Sequence, residues 1–152
     1  MTDYKTLVKM IENLAEESSD LIPLFANASA LLFGAMDDVN WAGFYIVRDG
    51  VLLLGPFQGK VACVKIAKGR GVCGRAWEEN RTMIVPDVHR FPGHIACDAE
   101  SRSEIVVPVR TGGVVAAVLD IDSPVPGRFT ADDAEGLEYL VSAIGRITEK
   151  TR

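Results

Sequence analysis

The residues in this chain with chemistry beyond folding are three cysteines and a small group of carboxylates. Cys63, Cys73 and Cys97 are separated by ten and 24 positions, with no Cys-x-x-Cys pair among them. Free cysteine packs readily as a small buried hydrophobe, and Cys63, in the apolar run Val61–Ile66, fits that role. Cys73 follows Gly69-Arg70-Gly71 at the expected start of a helix, where free backbone N–H groups lower a thiol's pKa. Cys97 lies in a polar stretch between His94 and Asp98, a setting unlike a core. Cys73 and Cys97 are therefore the candidate reactive thiols. A zinc site could draw on His89, His94, Cys97 and a second cysteine. Only His94-x-x-Cys97 has the close spacing of paired zinc ligands, so no metal is expected.

Asp120 and Asp122 close the apolar run Val114–Leu119 at alternate positions, so on a strand they share a face. Glu104 opens the preceding run, Ile105–Val109. Read simply, these are solvated strand ends. Asp120, however, follows a run apolar enough to be buried on both faces, and desolvation there raises a carboxyl toward the range of a proton donor. Three such acids at one sheet end could bind an ammonium group while one stays protonated. Trp41 and Tyr45, four apart, also share a strand face. They either pack in the core or wall a pocket with a polar rim.

The elements that must position these residues follow from periodicity and turn chemistry. Leu7, Met10, Ile11 and Leu14 recur at helical spacing. Asp20 is placed to cap a second helix with Pro23 in its first turn, burying Leu24, Leu31 and Leu32 and stopping near Gly34. Trp41–Val47 and Val51–Leu54 flank Asp49-Gly50 and predict a hairpin, with Val61–Ile66 as a third strand. A short helix from Gly71 to about Asn80 and a strand over Thr82–Val85 come next. Residues 86–104 form a polar loop of a length that compact domains keep for function. Ile105–Val109 and Val114–Leu119 make a second hairpin. Thr130 and Asp133 have capping-box spacing before a helix with Leu137, Leu140, Val141 and Ile144 on its buried stripe. Helices at both ends around antiparallel hairpins predict an α+β fold, and no linker or repeat divides the chain, so one domain over 1–152 is expected.

The 152 residues carry 16 Lys+Arg against 21 Asp+Glu, a net charge of −5. That balance excludes a broad basic surface for nucleic acid or anionic lipid. The start of the chain lacks a secretory apolar core, and no apolar run approaches the ~20 residues that cross a bilayer. An odd number of cysteines rules out a closed set of structural disulfides, and a reducing cytoplasm is the expected location. Gly69-x-Gly71-x-x-Gly74 spells a dinucleotide fingerprint by letters, but it does not open a βαβ unit and is set aside.

Several strings occur in an order that resembles a known family. They are Asn40-Trp41-Ala42-Gly43-Phe44-Tyr45, Leu54-Gly55-Pro56-Phe57-Gln58-Gly59, Ala62-Cys63, and Gly69-Arg70-Gly71-Val72-Cys73-Gly74. They continue with Phe91-Pro92-Gly93-His94-Ile95-Ala96-Cys97-Asp98, Ser103-Glu104-Ile105-Val106-Val107-Pro108, and Leu119-Asp120-Ile121-Asp122-Ser123-Pro124. Together these resemble the free methionine-(R)-sulfoxide reductases, single-domain proteins of GAF fold. The resemblance implies a GAF-like, mainly antiparallel central sheet with N- and C-terminal helices packed on one face. It assigns Cys97 as nucleophile, Cys63 as its resolving partner and Cys73 as an auxiliary thiol. It places Glu104, Asp120 and Asp122 on the substrate, with Trp41 and Tyr45 around the methyl-sulfinyl end. Free methionine sulfoxide is the implied substrate and thioredoxin the implied reductant, with no cofactor.

That chemistry suits these residue types. A sulfoxide sulfur becomes electrophilic once its oxygen is hydrogen-bonded or protonated, so an acid belongs beside the thiolate. Attack leaves a sulfenic acid, which a second thiol condenses to a disulfide for an external dithiol to reopen. Two other readings stay open at this point: a non-catalytic GAF module that senses a small molecule, and a thiol redox sensor. Fold alone separates none of them. A helical terminus is also a candidate homodimer contact.

Overall fold

Acidic and hydroxyl side chains start three of the helices. In the computed structural model, which describes residues 1–94 and 100–150, Asp3 caps α1 (Tyr4–Ala15) by accepting from the Thr6 backbone N–H. Asp20 caps α2 (Leu21–Ala35) in the same way through Ile22. At α4 (Ala131–Glu149), Thr130 and Asp133 satisfy one another's backbone N–H groups in a reciprocal capping box. The short helix α3 (Gly71–Glu79) starts after Arg70 with no side-chain cap and ends on Asn80 in the left-handed conformation.

Six strands form one sheet: β1 (Trp41–Arg48), β2 (Val51–Gly59), β3 (Lys65–Ala67), β4 (Met83–Val85), β5 (Ser103–Thr111) and β6 (Val114–Ser123). Their order across the sheet is β3-β2-β1-β6-β5-β4, and every neighbouring pair is antiparallel. Asp49 and Gly50, both at positive φ, make the two-residue turn between β1 and β2. The architecture is the α+β arrangement expected from the sequence.

Period-two alternation divides the sheet into two buried faces. Ala42, Phe44, Ile46, Ile105, Val107, Val109, Ala117, Leu119 and Ile121 point into a core closed by α1, α2 and α4. There Phe25 of α2 stacks on Phe44 of β1 at 4.0 Å between ring centroids. The intervening residues, among them Trp41, Tyr45, Val106 and Val118, meet α3, β3, β4 and Val88 on the opposite side. The terminal helices thus lie on one face, and a single short helix covers the other.

Two local expectations are corrected. In α1 the buried side chains are Leu7, Val8 and Ile11, whereas Met10 and Leu14 are exposed. The helix lies in the angle between α2 and α4, so its buried face is centred one residue off the Met10–Leu14 stripe. The third strand is Lys65–Ala67 rather than Val61–Ile66. Val61 and Val64 are exposed, and residues 61–64 are irregular rather than paired along β2 as a strand. Pro56, without an N–H, sits where β2 would have to continue that ladder, and the last bond is Leu54 N–H to Val64 O. After β4 a 3-10 turn over Val88–Arg90 buries Val88, and β5 starts at Ser103, two residues before the expected Ile105.

Candidate functional site

The alternation that fills one face with hydrophobic side chains places carboxyls on the other. Glu104 pairs with Asp122 across β5 and β6, and Asp122 pairs in turn with Trp41 on β1. In the next row Val106, Asp120 and Gly43 are partners. Glu104 and Asp120 are each only 6% exposed, and Asp122 is half-buried. From the facing helix, Cys73 brings its sulfur to the same point. Ligand-capable atoms of Cys73, Glu104 and Asp120 all lie within 4.8 Å of one another.

Burial dominates the electrostatics of this cluster. It raises Glu104 well above the usual carboxyl range, and the charges of Asp120 and Asp122 push the same way. Burial also raises Asp120, although Glu104, Cys73 and Asp122 stand close enough to lower it by hydrogen bonding. Oδ1 of Asp120 nevertheless lies buried without a partner of hydrogen-bond geometry. Burial, then the neighbouring acids, pushes the Cys73 thiol far up, so it is a protonated donor rather than a thiolate. The helix start next to Cys73 therefore does not activate it, because desolvation and three acids outweigh the macrodipole.

These groups form the floor of a cavity of about 50 Å³, walled by Trp41, Tyr45, Ile66, Val72 and the buried Ser101 and rimmed by Arg70 and His94. A buried water needs roughly 10–15 Å³ by a comparable measure, so the space suits a small polar ligand and not a macromolecular segment. Trp41 stacks on Phe57 at 5.2 Å and on Tyr45 at 6.0 Å. Trp41 Nε1 donates to Lys60 O and Tyr45 Oη donates to Cys63 O, each at 3.0 Å. The two wall aromatics thereby hold the segment that carries Cys63 across the cavity. Burial and the surrounding acids keep the Tyr45 hydroxyl protonated. His94 Nε2 stands 3.9 Å from Glu104 Oε1, and burial lowers its pKa, so the imidazole is a neutral neighbour.

Trp41, Tyr45, Cys73, Glu104, Asp120 and Asp122 are all brought to one cavity from four separate elements. Cys63 borders it by its backbone and is itself disulfide-bonded, while Cys73 is a free thiol. Cys97 lies outside the described residues. Sequence reasoning passed over Arg70 and Ile66 as lining residues. The glycines either side of Arg70 were a usable signal, since a helix that starts without a side-chain cap leaves its first N–H groups open. A cation could be offered one sulfur and two carboxyl oxygens by Cys73, Glu104 and Asp120. It would first have to displace the protons that burial holds on Cys73 and Glu104.

Comparison with known proteins agrees with this geometry. Residues 25–149 match the GAF domain family. Over 138 residues the chain is 53% identical to the free methionine-R-sulfoxide reductase of Escherichia coli, covering 91% of this chain and 83% of that protein. The reduced form of the Staphylococcus aureus enzyme superposes with a TM-score of 0.93 at 48% identity, over 97% of this chain and 96% of that one. The substrate complex of the Neisseria meningitidis free methionine-R-sulfoxide reductase gives a TM-score of 0.93 at 40% identity, over 98% and 90%. Among the described residues no helix is long and apolar enough to cross a membrane. With its sheet order, its acid-floored cavity and these likenesses taken together, the chain belongs to the free methionine-R-sulfoxide reductase family of GAF-domain proteins.

Proposed function

We propose that this chain reduces free L-methionine-(R)-sulfoxide to methionine. The observation that carries the reading is the cluster of buried Glu104 and Asp120 with half-buried Asp122 at the floor of a small cavity, with one Asp120 oxygen left unpartnered. Protonated Glu104 is a hydrogen-bond donor for the sulfoxide oxygen, which polarises the S–O bond. Asp120 and Asp122 beside it take the substrate's ammonium. The open N–H groups at the start of α3 offer a place for its carboxylate. Trp41 and Tyr45 give the methyl group an apolar wall.

In this reading the thiolate of Cys97 attacks the sulfoxide sulfur, the oxygen passes to Cys97 as a sulfenic acid, and methionine leaves. The thiol of Cys63 then displaces hydroxide from that sulfenic acid, which departs as water and leaves a Cys63–Cys97 disulfide. A dithiol reductant, thioredoxin by resemblance, restores both thiols and is oxidised to its own disulfide. The link from Tyr45 Oη to Cys63 O supports this order, because it keeps the second sulfur at the cavity's edge.

The test is a thioredoxin-coupled assay with the R and S epimers of methionine sulfoxide, each free and peptide-bound. Turnover of the free R epimer alone is expected, and Cys97→Ser should abolish it. Unaltered turnover by that variant would remove Cys97 as nucleophile. Binding of the free amino acid with no turnover by the parent chain would make the cavity a sensor site.

A further inference from the structure

The floor of the cavity is acidic, but one strong cation stands at its rim. Arg70, the residue that precedes α3, is exposed and is the sole Lys or Arg among the described residues lining the cavity. Its main chain is fixed, with the N–H donating to Ala67 O and the carbonyl accepting from Gly74 N–H. Its guanidinium has no ion pair among the described residues. Arg75, Arg81, Arg90, Arg102 and Arg128, by contrast, each have a carboxylate partner.

We infer that Arg70 is the residue that demands a free α-carboxylate on the substrate, pairing with it while the acidic floor holds the ammonium. This deepens the proposed function and rests on it. The buried, unpartnered Oδ1 of Asp120 marks the floor as the place for the ligand's cationic pole, which turns the anionic pole toward the rim. Cys73, whose sulfur meets Glu104 and Asp120, lies three residues along α3 from Arg70. At about 1.5 Å of rise per residue, the Arg70 backbone stands roughly one turn from that of Cys73, whose sulfur meets the acids. The ammonium nitrogen and carboxyl carbon of an amino acid are separated by two bonds of about 1.5 Å each, and the arginine side chain spans the rest.

The chemistry of the rim suits that role. A planar guanidinium matches a carboxylate fork in a way that an ammonium cannot. The first turn of α3 contains no acidic side chain to compete for it, and the helix dipole adds partial positive charge at the same end. An amide in place of the α-carboxylate would leave Arg70 without its partner. A residue within a peptide would lack both poles.

The experiment compares the parent chain, Arg70→Ala and Arg70→Lys on free methionine sulfoxide and on its α-amide, which keeps the ammonium and the sulfoxide. Arg70→Ala is expected to raise KM for the free acid tenfold or more, leave kcat within about twofold, and hardly change kcat/KM for the amide. Preference for the acid over the amide should collapse by the same factor, and Arg70→Lys should restore part of it. An equal loss on acid and amide would make Arg70 a structural residue and overturn the inference. So would an unchanged preference in Arg70→Ala. Failure of the parent chain to reduce the free acid at all would overturn the proposed function itself.

Discussion

Glu104 and Asp122 are directly paired residues on β5 and β6, two carboxyls facing one another across a sheet at a position where like charges repel. Asp120 stands one row further along β6, with Gly43 rather than a side chain opposite it on β1. Three acids so close in a desolvated pocket cannot all ionise cheaply, and Glu104 responds by holding its proton.

The neutral state of Glu104 has a stability signature. Its folded pKa lies above its unfolded value, so its ionisation costs folding free energy as pH rises from the ordinary Glu range toward the raised value, and costs nothing below it. Glu104→Gln removes that cost. The melting-temperature difference, Gln variant minus parent, should grow between pH 4 and pH 8, while kcat/KM for the free sulfoxide falls by about 10²-fold or more. A difference that stays flat with pH would rule out a protonated Glu104.

Asp122 is the least buried of the three acids at the cavity floor. If its charge holds the substrate ammonium throughout the reaction, Asp122→Asn should raise KM about tenfold with kcat little changed. Steady-state kinetics on the free R epimer give the answer, and an unaltered kcat/KM would sink the contact.

Cys63 carries its proposed role in the second half of the cycle alone. Cys63→Ser should release one equivalent of methionine per chain in a single turnover and then fail to recycle with thioredoxin. Equal multi-turnover rates in variant and parent would take Cys63 out of the mechanism.

Gly43 lies in the same sheet row as Asp120, and a Cβ there would stand 2.3 Å from Phe57 Cβ and 2.8 Å from the Trp41 ring. Gly43→Ala should therefore lose about 1–3 kcal/mol of stability by overpacking and weaken substrate binding, because Trp41 must shift from the cavity wall. Urea denaturation combined with a KM measurement tests both parts.

Thr130→Ala offers a control at a distance from the cavity. Loss of the capping box should cost about 1 kcal/mol in denaturant unfolding and leave KM unchanged. A changed KM would mean that α4 and the site are coupled through the sheet.

Much of this arrangement could be read from spacing. The alternation of Asp120 and Asp122 after an apolar run put them on one face, and Asp49-Gly50, Asp20 and Thr130 marked their turn and caps in local chemistry. Glu104 and Trp41 were harder to join to them, because their meeting depends on strand register between segments far apart in sequence. The state of Cys73 was misjudged for the same reason. A helix start argued for a lowered pKa, and only the tertiary approach of Glu104 and Asp120 reverses the sign. The Val61–Ile66 segment has strand composition, yet Pro56 on β2 cannot continue its ladder, and side-chain donors from Trp41 and Tyr45 on β1 bond Lys60 O and Cys63 O instead. Arg70 carries no periodic signal at all.

The unequal covering of the two sheet faces has a dynamic consequence. Three long helices clamp one side, so amide protons on α1, α2 and α4 should exchange with solvent by global unfolding. The other side is closed by nine residues of α3 and an irregular segment, and can breathe by detaching that cover while the clamped half stays folded. Small molecules would then enter and leave through motions that leave the scaffold's cooperative unit intact.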